Sequence, residues 1–172
     1  MISYKEKLPK ITTFIFDVDG VMTNGDVLLF KDEYVRILNS KDGYALQYAH
    51  NKGYRVLVIT GGSSERLKER LHRLGVDEVC LSSKHKLTVY KSLKEKYGFT
   101  DEQVAYMGDD IPDYEVLSVV GVSSCPQDSA VEIKALVDYQ SPFHGGKGCV
   151  RDLIEQTMRV QGTWFTEGSI EW

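Results

Sequence analysis
The chain has 172 residues, 42% of them hydrophobic and 27% charged, with a net charge of -4. This composition suits one folded domain, expected to span 1–172, and the negative charge argues against nucleic acid, whose phosphates select basic faces. Three cysteines without a C-x-x-C pair argue against a disulfide framework or a zinc knuckle and suit a reducing cytoplasm, while no apolar stretch is long enough to span a membrane or serve as a signal peptide.

The first element is "ITTFIF", Ile11–Phe16, a β-branched and aromatic run that reads as a buried strand. "DVLLFKDEYVRILN", about 26–39, follows where a crossover helix would be expected. Its two short β-prone runs around Lys31-Asp32-Glu33 predict a β-hairpin. An isolated hairpin is marginal in water, so it needs a surface to pack on, and a partner subunit is one answer. "DGYALQYAHNKG" predicts a helix ending at Gly53, and "YRVLVIT", Tyr54–Thr60, predicts a second buried strand. "SSERLKERLHRLG" places Leu67, Leu71 and Leu74 on one stripe and stops at Gly75. "KLTVYKSLKEKYG" is a further helix, from Lys86 to Gly98. Thr100 and Gln103 form a capping-box pattern so close to the next strand that it reads as a short turn. "QVAYMG", Gln103–Gly108, is another apolar strand, and "VVGVSS" and "LVDYQS" are shorter ones. The tail, about 161–172, carries Trp164 and Phe165, which either dock near an active site or stay mobile.

Continuous apolar strands alternating with helices predict a doubly wound parallel α/β sheet, covered on both faces. Such sheets bind ligands beyond the carboxyl ends of their strands. Three of those ends are unusually polar here: Asp17-Val18-Asp19-Gly20, Thr60-Gly61-Gly62-Ser63 and Gly108-Asp109-Asp110. Gathering these acids in one crevice brings like charges together, which a cation must offset. Hard carboxylate oxygens favour Mg²⁺. With Lys86 at a further strand end, the set can support phosphoryl transfer: a nucleophilic carboxylate, a proton-shuttling carboxylate, a cation, and a hydroxyl beside glycine amides.

"DVDGVMT", "ITG", the lysine before the helix at 86 and "GDDIPD" resemble the four motifs of the haloacid dehalogenase superfamily of phosphatases. The hairpin, "KDGYAL" and "GGKGCVRDLI" resemble its capless subgroup, whose members act on sugar-acid phosphates. The resemblance implies a Rossmann-like fold without a cap domain, with the hairpin inserted after the first strand. It implies Asp17 as nucleophile, Asp19 as acid and base, and Mg²⁺ held by Asp17, the Asp19 carbonyl and Asp109. Thr60, Gly61 and Lys86 would hold the phosphoryl group, and Asp110 or Asp113 would orient Lys86 or the metal's waters. Lys41 and Lys147 stand where many relatives carry Arg, at positions linked to the substrate carboxylate. The resemblance also implies a homotetramer, with hairpins forming a central barrel and neighbours covering one another's sites.

Overall fold
Residues alternate in direction along a strand, so a strand with apolar residues on both sides can serve two cores at once. The central strands do this in the computed structural model, which describes residues 3–31 and 33–170, with only the backbone at Glu33. Phe14 and Phe16 of β1 (Thr13–Phe16) face one core with Val56 and Val58 of β4 (Arg55–Ile59). Ile15 and Leu57 face the other, with Tyr106 of β6 (Val104–Met107). The first core is closed by α2 (Ser40–Asn51) and α7 (Cys149–Val160), the second by α4 (Lys86–Tyr97), α5 (Tyr114–Leu117) and α6 (Val131–Leu136).

With β5 (Glu78–Cys80), β7 (Val122–Cys125) and β8 (Tyr139–Gln140), the sheet has six parallel strands in the order β5-β4-β1-β6-β7-β8. The remaining helices are α1 (Tyr4–Lys7) and α3 (Glu65–Arg73). The order reverses at β1, so the ends of β1, β4 and β6 open into one crevice. This is the doubly wound α/β fold expected from the strand pattern. Between β1 and α2 the described residues add only a hairpin, β2 (Leu28–Phe30) with β3 (Glu33–Val35), and no cap domain. The hairpin's regular part is shorter than 26–39, and Asp32 at its tip lies outside the described residues.

Helices stop where the glycines stand, since Gly53, Gly75 and Gly98 all take positive φ, at +87°, +82° and +71°. The Thr100–Gln103 pattern forms a single 3₁₀ turn, in which Thr100 N donates to Gln103 Oε1 at 2.9 Å. Two short strands differ from expectation. Val119 and Val120 belong to the turn after α5, because Gly121 rests on the Glu102 backbone, where a Cβ would meet the carbonyl oxygen at 2.7 Å. Leu136 ends α6 and is not in a strand, so β8 is only Tyr139–Gln140. The tail docks on α2 and on the residue before β4: Trp164 packs T-shaped against Tyr48 with ring centroids 5.2 Å apart, and Gln161 accepts from Tyr54 Oη at 2.5 Å. Phe165 stays exposed, and Glu171 and Trp172 lie outside the described residues.

Candidate active site
Asp17 follows directly on β1, and its amide extends the ladder to Met107 O at 3.0 Å, so the rigid sheet aims its carboxylate into the crevice. The chain then turns at Gly20, with φ +86°. A Cβ there would lie 2.0 Å from Asp109 Oδ2, so glycine lets the loops after β1 and β6 close on each other. The turn is braced from behind by the 145–149 loop. Gly146 N donates to Val21 O at 2.8 Å, and a Cβ on Gly145 would fall 2.0 Å from Gly20 O. Asp42, buried at the start of α2, accepts from the Arg151 amide at 2.8 Å and fixes the start of α7 beside that loop. Burial lifts its pKa to about 6 against the opposing pull of the Arg151 and Gly148 amides.

At the floor of the crevice Lys86 Nζ lies 2.9 Å from Asp17 Oδ2 and 2.7 Å from Asp113 Oδ1. Tyr106 Oη donates to the same Asp113 oxygen at 2.5 Å. Burial works against the Lys86 ammonium, yet Asp113 and Asp17 outweigh it and hold its pKa above the ordinary value. The acids move the other way. Asp17 rises to about 6 through burial and the Asp113 charge, tempered by Lys86. Asp109 rises from 3.8 to about 7 through burial and the charges of Asp17 and Asp113.

Oxygens of Asp17, Asp109 and Asp113 lie within 4.8 Å of one another. Asp109 Oδ1 and Asp113 Oδ2 are buried without a hydrogen-bond partner. Unpaired buried oxygens in a cluster of like-charged carboxylates are what a hard divalent cation would satisfy. The donor set therefore fits Mg²⁺.

The rim completes the site. Thr60, only 1% exposed, follows directly on β4, and its Oγ1 accepts from Gly62 N at 3.1 Å, which leaves its hydroxyl proton to donate elsewhere. The cleft, about 370 Å³, is walled by Asp17, Asp19, Thr60, Gly61, Lys86 and Asp109 together with Asp110 and Asp113. Asp113 is buried against Lys86, whereas Asp110 sits exposed at the rim. Lys41 and Lys147 are not among the cleft's walls; within this chain they line a separate concavity beyond Leu38 and Asn39. The tail residues do not line the cleft either. Two functional neighbours escaped the sequence reading. Tyr106 looked like one more apolar strand residue. Arg36 lay in the hairpin and gave no local signal, yet it grips Asp19 with two hydrogen bonds, 2.5 and 3.0 Å long.

A sheet that presents a lysine-paired aspartate beside a cation-ready acid cluster and a glycine-flanked threonine defines a hydrolase of phosphate esters. Residues 28–121 match the model of the haloacid dehalogenase-like hydrolases, and the chain belongs to that family. It is 31% identical over 157 residues, 91% of this chain and 84% of the other, to the 3-deoxy-D-manno-octulosonate 8-phosphate phosphatase KdsC of Escherichia coli K12. Its fold is similar to the crystal structure of the corresponding phosphatase from Yersinia pestis, with TM-score 0.90 and 29% identity over 93% of this chain and 87% of that one. It is also similar to the Moraxella catarrhalis phosphatase, solved with magnesium, phosphate and KDO, with TM-score 0.89 and 28% identity over 92% of both chains.

Proposed function
We propose that this protein hydrolyses 3-deoxy-D-manno-octulosonate 8-phosphate (KDO 8-phosphate) to KDO and phosphate, with Mg²⁺, in the cytoplasm. One observation carries the reading: Asp17 at the end of β1, salt-bridged to Lys86 at 2.9 Å beside Asp109 and Asp113. The likeness to the E. coli phosphatase over 91% of the chain supports the choice of sugar acid.

The roles are those the family resemblance implies, and the positions of the side chains support them. Asp17 attacks phosphorus; its new bond to phosphorus forms as the bond to the sugar oxygen breaks. Asp19 gives that oxygen a proton. It then takes one from the water that attacks the aspartyl-phosphate, releasing phosphate and restoring Asp17. Lys86, held by Asp113, and the Thr60 hydroxyl and Gly61 amide balance charge on the phosphoryl oxygens. Bound by Asp17, Asp109 and the Asp19 carbonyl, Mg²⁺ would offset the negative charge of the acids and the phosphate together. Asp110, exposed at the rim of the cleft, would orient the outer waters of the site, as the family resemblance implies.

The hairpin exposes Leu28, Leu29, Phe30, Tyr34 and Ile37, between 52% and 75% accessible, an apolar surface that a single chain leaves uncovered. This supports a homotetramer built around the hairpins, with Lys41 and Lys147 serving a neighbour's site. The substrate is tested by kcat/KM values for KDO 8-phosphate and for nine-carbon keto-acid 9-phosphates. Preference for the 8-phosphate supports the reading, and a strong preference for a 9-phosphate overturns it.

A further inference from the structure
Asp19 is the acid and base of the proposed reaction, and in this structure both of its oxygens are taken. Arg36 Nε reaches Oδ1 at 2.5 Å and Nη2 reaches Oδ2 at 3.0 Å, the parallel geometry with which guanidinium recognises carboxylates. Arg36 stands one residue beyond β3, and its side chain is 13% accessible, against 35% for Asp19. The pair forms a boundary. Asp19 walls the catalytic cleft, while Arg36 walls a larger cavity of about 760 Å³, and the two spaces share Gly61 and Gly62. Gly62 keeps the boundary thin: a Cβ there would sit 3.5 Å from Arg36 Nη2 and 3.8 Å from Asp19 Oδ2.

The larger cavity is the space adjoining the phosphoryl site that can hold the rest of a substrate. Phe30 and Tyr34 of the hairpin give it an apolar side. Among the described residues Lys31 and Arg66 add positive charge, and Glu65 adds a carboxylate. An anionic tail suits this lining, and Arg36 within it holds a carboxylate, that of Asp19, at both oxygens. While it does so, Arg36 fixes the orientation of the Asp19 carboxylate, and each oxygen commits a lone pair to the guanidinium and not to a scissile oxygen.

We propose that Arg36 is a specificity-determining residue that exchanges Asp19 for the carboxylate of the substrate. This rests on the reading of the chain as a phosphatase of a sugar-acid phosphate. A bound sugar acid brings its carboxylate into the larger cavity, takes the Arg36 fork and so releases Asp19 toward the leaving oxygen. A sugar phosphate without a carboxylate leaves Arg36 on Asp19 and is turned over slowly. The gain is discrimination by a second charge, distant from the phosphate.

The test is steady-state kinetics with Mg²⁺ on KDO 8-phosphate and ribose 5-phosphate, using wild type, Arg36→Met and Arg36→Lys. A lost bidentate charged contact lowers kcat/KM for KDO 8-phosphate in Arg36→Met by about 10- to 100-fold, chiefly through KM. Turnover of ribose 5-phosphate by that variant rises above wild type, because Asp19 is no longer held. Arg36→Lys keeps the charge without the fork and falls between the two. A purely structural Arg36 would instead lower both activities together, and that result, or an unchanged preference, overturns the proposal. A measurement on the wild type alone checks it independently: methylating the carboxylate of KDO 8-phosphate should reduce its kcat/KM toward that of ribose 5-phosphate, and no reduction refutes the exchange. Failure of the wild type to release phosphate from any of these esters would refute the phosphatase reading itself.

Discussion
Replacing Asp109 with asparagine should stabilise the metal-free protein at pH 8. An unfolded Asp109 gives up its proton near pH 3.8, whereas the folded one keeps it to about 7. Between those values the folded chain binds more protons than the unfolded one, so stability falls as pH rises. The penalty is absent below 3.8 and complete above 7. The span corresponds to about 4 kcal/mol, at about 1.36 kcal/mol per pH unit. The repulsion is shared with Asp17 and Asp113, and the asparagine amide leaves a buried donor, so about 1–2 kcal/mol is expected. In a chain of this size that raises Tm by about 2–8 °C. Thermal unfolding in EDTA at pH 8 and pH 5 measures it, and the gain should shrink by more than half at pH 5. Added Mg²⁺ should reverse the ranking, since a ligand at 100 times its Kd stabilises by about 2.7 kcal/mol and the variant has lost a ligating oxygen. A lower Tm for Asp109→Asn in EDTA at pH 8, or equal Mg²⁺ shifts in both proteins, would refute the reasoning.

Lys86→Met removes the cation from between Asp17 and Asp113, and kcat should fall by about 100- to 1,000-fold. The buried acids then lack their partner, so Tm should fall as well; a variant with near-native kcat would remove Lys86 from the phosphoryl site. Multi-angle light scattering should report a tetramer, and Leu29→Asp with Phe30→Asp should reduce the assembly, because both side chains are exposed on the hairpin. A monomeric wild type with full turnover would contradict the shared-site arrangement.

The sheet was legible because its central strands are apolar on both faces, and a strand such as Arg55–Ile59 cannot be placed anywhere but inside. The helix stops were legible because Gly53, Gly75 and Gly98 supply a conformation that other residues avoid. The acid cluster was legible because each carboxylate stands at a strand end, where fold geometry alone brings distant residues together. The remainder depends on contacts between segments far apart in sequence. Arg36 and Asp19 are 17 residues apart, and nothing in "EYVRIL" announces the pairing. Tyr106 belongs to a strand, and only the fold turns its hydroxyl onto Asp113. Helix α7 carries a local signal that the glycines of "GGKG" before it obscure, since Val150, Leu153, Ile154 and Met158 have helical spacing. Lys41 and Lys147 were grouped with the site by resemblance, and the single chain places them in another concavity.

Asp17 is the proposed nucleophile of this Mg²⁺-dependent phosphatase. Phosphate release from KDO 8-phosphate, with Mg²⁺ and with EDTA, by wild type and by Asp17→Asn of unchanged circular dichroism tests it most directly. Release is expected from the wild type only with Mg²⁺, and none above background from Asp17→Asn. Release by the folded Asp17→Asn variant at the wild-type rate, or none from the wild type with Mg²⁺, would contradict it.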